Sequence, residues 1–197
     1  MARISIVVHS GYGHTRALAE AVAKGMREVP GTEATIVPVG ELPAPGADRS
    51  YSGRWKELGE SDAIVFGCPT YMGSLSAEMK RFMEHSSGLW MAQAWKDKVA
   101  AGFTNSGSLS GDKLNTLVDL AVFAGQHSMI WVTQGVMPSL YRPEQEKGLN
   151  RLGAWLGAMS QSGQASPETE PPAEDRRTAE LFGRRVAEAT HRWKRGA

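Results

Sequence analysis

Apolar and polar positions along the chain switch between two periods. Ile4 to Val8 is a β-branched run that fits a buried strand, and Leu18, Val22, Met26 and Val29 then recur at three- and four-residue spacing, one face of a helix. Pro30-Gly31 closes that helix, and Ala34 to Val39 reads as a second strand. Gly40 to Ser52 reads as loop, with a short helix around Trp55 to Leu58. Ala63 to Gly67 fits a central strand buried on both faces, with Pro69 expected to stop it. Leu75, Met79, Phe82 and Met83 predict the next helix, with Ser76 as its N-cap. Lys98 to Phe103 predicts a fourth strand and Met129 to Thr133 a fifth, separated by a helix marked by Leu114, Leu117, Val118, Ala121 and Val122.

Five strands alternating with helices predict an α/β fold, a doubly wound parallel sheet with helices on both faces. In such a sheet the loops at the carboxyl ends of the strands converge on a ligand crevice. Here those loops are Ser10 to Thr15, Pro69 to Gly73, Thr104 to Asp112 and the segment after Gly135. Beyond Gly135 the pattern weakens. Leu149 to Met159 has partial helical periodicity, interrupted by Gly153 and Gly157, and residues 161–172 read as a linker-like excursion. Ala179, Phe182, Val186, Ala189 and Trp193 then share one face of a closing helix, expected to pack back on the sheet.

The length of 197 residues fits one domain, 1–197, with a well-buried core. A net charge of +1 gives no reason to expect a nucleic-acid or acidic-membrane partner. The single cysteine, Cys68, allows no intrachain disulfide, and no signal-like start or long apolar span is visible, so a soluble cytoplasmic protein is expected.

The candidate chemistry begins at His9-Ser10-Gly11-Tyr12-Gly13-His14-Thr15, where the first strand turns straight into the first helix. Such a turn aims several backbone N–H groups and the positive end of the helix dipole at one spot, which suits an anion. Gly11 and Gly13 allow close approach, and the Ser10 and Thr15 hydroxyls can add donors. An ordinary strand-to-helix turn with a Ser or Thr cap fits the same residues. The spacing matches neither the nucleoside-triphosphate loop nor the dinucleotide fingerprint, which leaves a cofactor monophosphate as the natural candidate. No metal is expected, because His9 and His14 are not spaced as ligands on one helix face and no carboxylate cluster joins them.

A second stretch, Gly67-Cys68-Pro69-Thr70-Tyr71-Met72-Gly73-Ser74, offers flat or polarizable surface to a ring system through Tyr71 and Met72. A third, Thr104-Asn105-Ser106-Gly107-Ser108-Leu109-Ser110-Gly111, is dense in donors for the polar edge of such a ring, or is simply a surface loop. Cys68 reads as a small buried hydrophobe rather than a redox thiol, having no CxxC partner.

Together these stretches resemble flavodoxin-fold FMN proteins, in particular the tryptophan-repressor-binding-protein type of NAD(P)H:quinone oxidoreductase. The resemblance rests on SGYGHT, GCPTYMGSLSAEMKRFME, SSGLW followed by KVAAGFTNSGS, and QHSM, and covers about Arg3 to Gly135. It implies a five-stranded parallel sheet in the order 2-1-3-4-5. Ser10, Gly11, Tyr12, Gly13, His14 and Thr15 would hold the FMN phosphate, with Tyr12 near the nicotinamide. Pro69, Thr70, Tyr71, Met72 and Gly73 would lie along the isoalloxazine, and Asn105, Ser106, Gly107, Ser108, Leu109 and Ser110 would hold its pyrimidine side. His127 matches the family histidine beside the flavin, and Trp90 an aromatic bordering the substrate pocket, often from a neighbouring subunit. The implied catalytic set is thus His127, Tyr12 and Trp90. The chain departs from the family at Tyr71-Met72, at Leu109 and after Gly135.

The resemblance further implies ping-pong transfer of hydride from NADH or NADPH through FMN to a quinone or similar flat acceptor, in a homodimer or homotetramer. The exposed-looking Trp90, Met91 and Trp95 fit such an assembly. Two rivals stand beside the enzyme: a flavodoxin-like electron carrier, normally acidic where this chain is not, and a regulatory protein without turnover.

Overall fold

The computed structural model describes residues 1–196; Ala197, the last residue of the expected domain, lies outside them. The chain runs β1 (Ala2–Val8), α1 (His14–Arg27), β2 (Thr32–Pro38), α2 (Trp55–Glu60), β3 (Ala63–Tyr71), β4 (Ser74–Leu75), α3 (Ala77–His85), α4 (Ser87–Met91), β5 (Val99–Ser106), α5 (Lys113–Gln126), β6 (Ile130–Trp131), β7 (Ala158–Gln161) and α6 (Ala173–Arg195). The sheet path is β2-β1-β3-β5-β6, which is the expected 2-1-3-4-5 order, and these neighbours are all parallel. Two short strands are added: β4 pairs antiparallel with β3, and β7 pairs parallel with β5.

Side chains alternate across a strand, and the alternation divides the core in two. Ile4, Ile6 and Val8 of β1 meet Leu18 and Val22 of α1 and Phe182 and Val186 of α6 on one face. Val7, Ile64, Phe66 and Cys68 meet Trp55 of α2, Phe82 of α3 and Leu120 and Phe123 of α5 on the other. α1 and α6 pack backbone to backbone. A Cβ on Gly25 would overlap the Glu180 carbonyl oxygen, and one on Gly183 would overlap that of Val22.

Three expectations are corrected by this fold. β3 does not stop at Pro69 but runs to Tyr71, because its pairing with β1 ends at Gly67 and the missing proline N–H breaks no bond there. Leu149 to Met159 is not helical. Asn150 and Gly153 have positive φ, and the Asn150 amide pins a loop by donating to the Val136 and Ala154 carbonyls (2.8 and 2.9 Å) while its Oδ1 accepts from the Ala154 N–H at 2.8 Å. The fifth strand is therefore built in two pieces on the β5 edge, β6 beside Val99 and Ala100 and β7 beside Phe103 to Ser106. The helix expected from Leu114 to Val122 is present as α5, and its pattern marks two faces: Leu117, Leu120 and Phe123 are buried, whereas Leu114, Val118 and Val122 form an exposed apolar stripe.

Candidate functional site

The expected loops converge on a crevice of about 690 Å³ at the carboxyl ends of β1, β3 and β5. That size falls within the range of about 300–1,000 Å³ typical of small-molecule sites. Ser10, Gly11, Tyr12, His14 and Thr15 line one side, Pro69, Thr70 and Tyr71 another, and Asn105, Ser106 and Gly107 a third.

At the phosphate-type loop the chain leaves β1, passes Gly13 at φ 90° and enters α1. The Ser10 hydroxyl accepts the Arg16 N–H at 3.1 Å, which leaves its own proton free to donate. The N–H groups of Ser10 through Thr15 have no acceptor among the described residues, and the Thr15 hydroxyl has no partner there either. Six unpaired amides at a helix N-terminus form an anion cradle. The glycines keep it narrow, since a Cβ on Gly13 would stand 2.7 Å from Pro167 Cγ.

The wall from β3 is organised by a hydroxyl chain. Thr104 must donate to the Cys68 carbonyl (2.7 Å), so Thr70 donates to Thr104 (2.9 Å) and Thr116 to Thr70 (2.7 Å). These bonds fix the carboxyl ends of β3 and β5 against α5. Tyr71 pairs with Ser74 across a two-residue turn in which Met72 and Gly73 both have positive φ, the geometry of a tight hairpin. That turn points Met72 fully into solvent, so Tyr71 lines the crevice and Met72 and Gly73 do not. Burial raises the Tyr71 phenol above its usual range, with Tyr12 adding to the effect, and keeps it protonated. Burial also pushes the Cys68 thiol up to about 12, which removes it from redox chemistry at neutral pH.

On the third side Asn105 Oδ1 accepts from the Ser160 and Ser162 hydroxyls (2.8 and 2.9 Å), which fixes the amide and leaves its Nδ2 without an acceptor among the described residues. Ser106 and Gly107 follow at the crevice, while Ser108, Leu109 and Ser110 turn away from it, Leu109 and Ser110 into a neighbouring groove.

His127 and Trp90 are not brought to this crevice within one protomer. They line a second cavity of about 860 Å³ between α3, α4 and α5. His127 caps the far end of α5, a helix about 20 Å long, from the crevice end at Lys113. The Ser86 hydroxyl donates to the Met83 carbonyl (2.7 Å), so His127 Nε2–H donates to Ser86 Oγ (3.0 Å) and Nδ1 is left as an acceptor without a partner among the described residues. Burial against Trp95 and Phe123 pushes His127 down to about 4, so it is neutral at pH 7.

One wall of the crevice comes from a segment that its composition marks only as an excursion. Residues 161–172, expected to be a linker, lie across the phosphate-type loop, and Ser162 to Pro167 line the crevice. His14 Nε2–H donates to the Ala165 carbonyl at 2.8 Å, and the Arg176 guanidinium gathers the carbonyls of Pro167, Glu168, Glu170 and Pro171. Alternation in the short β7 run, Ala158 to Gln161, was the available signal, masked by the glycines before it.

Residues 5–139 match the model of the NADPH-dependent FMN reductase family. Among curated proteins, a Pseudomonas aeruginosa protein named flavodoxin FldP is 36% identical over 190 residues, 95% of this chain and 96% of that one. An Archaeoglobus fulgidus protein named NAD(P)H dehydrogenase (quinone) is 34% identical over 206 residues, 98% of this chain and 99% of that one. A crystal structure described as a flavodoxin, a WrbA-like protein from Agrobacterium tumefaciens, superimposes with a TM-score of 0.72 at 39% identity, covering 98% of this chain and 99% of its own. The fold is therefore flavodoxin-like, and the chain belongs to the NADPH-dependent FMN reductase family.

Proposed function

We propose that this protein is an FMN-dependent NAD(P)H:quinone oxidoreductase, in which NADH or NADPH supplies a hydride and a quinone or similar flat acceptor is reduced by two electrons. The observation that carries this reading is the row of unpaired N–H groups from Ser10 to Thr15, opening on a crevice with Tyr71 as its flat wall. The name of the NAD(P)H dehydrogenase (quinone) relative and the match to the NADPH-dependent FMN reductase family support it.

FMN, once bound, supplies the capacity to accept a hydride and pass on two electrons. The protein supplies position and electrostatics. The Ser10 and Thr15 hydroxyls and the amides of residues 10–15 would hold the phosphate, while Thr70 and Tyr71 flank the ring. Asn105 Nδ2 and the Gly107 amide, at the crevice end of the loop, would meet its pyrimidine side and favour the negative charge that reduction brings. Tyr12, exposed at the mouth, would border the nicotinamide. Donor and acceptor would share one face of one crevice, which gives ping-pong kinetics.

Trp90 and His127 enter this reading through a second copy of the chain. In a homodimer or homotetramer the face bearing their cavity would close a neighbour's crevice, and the exposed stripe of Leu114, Val118 and Val122 is apolar surface available for the contact. A cytoplasmic setting accords with the free thiol of Cys68. The second reading, an electron carrier without turnover, is favoured by the relative named flavodoxin.

The test is binding of FMN and of riboflavin, followed by quenching of flavin fluorescence. Several charge-assisted bonds to the phosphate predict FMN tighter by about 100-fold or more. Equal affinities would overturn the assignment of Ser10 to Thr15.

A further inference from the structure

Lys113, the first residue of α5, is 1% exposed, a burial rare for lysine. Its ammonium donates to Ser106 Oγ (2.8 Å), the Ser108 carbonyl (2.7 Å) and the Leu109 carbonyl (2.9 Å), which uses all three protons. No carboxylate pairs with it among the described residues. Asp175 is already held by Arg151 at two points, 2.7 and 2.9 Å. The ammonium is therefore solvated by neutral oxygens, with no direct ion pair among the described residues.

The loop is wound around this ammonium. Gly111 and Asp112 both have φ 54°, which turns the chain back over the lysine. In a trans peptide the N–H points opposite to the preceding C=O. With the Ser108 and Leu109 carbonyls drawn inward, the N–H groups of Leu109 and Ser110 face outward, and neither has an acceptor among the described residues. Ser106 lines the crevice, so the ammonium lies one hydrogen bond behind the crevice wall.

Resting on the FMN reading above, we infer that Lys113 is a positioning residue for the flavin ring. Its ammonium holds the Ser106 to Leu109 loop with free amides outward, and it places a positive charge behind the wall that meets the pyrimidine edge. The loop holds the ring rather than the phosphate, and the charge favours the reduced, more negative form over the oxidised one.

The test uses the full chain with K113M, K113R and S106A, the last removing a single acceptor from the ammonium. In K113M, amide exchange of residues 107–111 in the flavin-free protein rises about tenfold, FMN and riboflavin both bind about tenfold more weakly, and S106A gives smaller effects of the same sign. A further tenfold selective loss for the reduced form moves the two-electron potential of K113M negative by about 30 mV, and K113R restores it. Unchanged loop exchange in K113M and S106A overturns the inference, as does an unchanged potential with weakened binding. Wild-type protein that binds neither flavin refutes the FMN reading instead, and the exchange measurement then still decides whether Lys113 holds the loop.

Discussion

The Tyr71 hydroxyl lies over Gly11, 2.6 Å from where a Cβ on that residue would stand. The phosphate-type loop and the ring-facing wall are thus fitted to each other through a missing side chain. Gly11→Ala is expected to push Tyr71 aside and weaken FMN binding about tenfold, with the fold intact by circular dichroism. Adding Tyr71→Phe removes the clashing oxygen, leaving ring carbon Cζ at 3.6 Å, and should recover part of the loss. Unchanged affinity in Gly11→Ala would show that the contact is irrelevant to binding.

A different close approach supports the scaffold. Gly25 and Gly183 let the α1 and α6 backbones touch, and the atoms opposite them are main-chain carbonyls that cannot swing away. Gly183→Ala should therefore cost about 1–3 kcal/mol as α6 is forced outward. Urea denaturation of the flavin-free protein measures it, and a midpoint equal to wild type would contradict the crossing described.

The parallel sheet was legible because β1, β3 and β5 are apolar runs separated by helical stripes, a pattern that physics leaves little room to read otherwise. The crevice was legible for the same reason: Ser10 to Thr15, Tyr71 and Asn105 stand where strand ends must converge. What failed to show depends on distant pairing. Residues 161–172 became a wall only because β7 finds the free edge of β5 beyond β6, a register that no local pattern encodes. Met72 looked like a ring contact until the hairpin turn sent it outward, and no local pattern singles out Lys113, whose burial depends on the loop before it folding back.

Burial pushes Lys113 down to about 8, an effect partly offset by Asp175 and reinforced by Arg151. In the unfolded chain a lysine titrates near about 10.4. Between these values the unfolded state binds more protons, so this residue makes folding stability rise with pH across that window. The rise should be present in wild type and absent in K113M when both are denatured in urea at about pH 7.5 and about pH 10. Parallel pH profiles for the two proteins would contradict the lowered titration of a buried Lys113.

His127, held down to about 4 by burial, should keep its ring neutral across the physiological range. Its C2 proton, followed by NMR, is expected to show no titration between about pH 5.5 and 8, where a free histidine moves. The same shift makes stability fall as pH drops from 6.5 toward 4, since the unfolded chain takes up that proton first. A normal titration midpoint would place His127 in water and remove it from the packed ring stack with Trp95.

If one crevice takes flavin, nicotinamide and acceptor, the bound flavin must be reduced and reoxidised in place. The visible spectrum of the FMN-loaded protein without oxygen, on adding NADPH or NADH and then benzoquinone, reads this out. The flavin absorbance is expected to bleach within seconds with one of the nucleotides and to return on adding the quinone. Retained flavin that neither nucleotide bleaches would contradict it and leave the electron carrier.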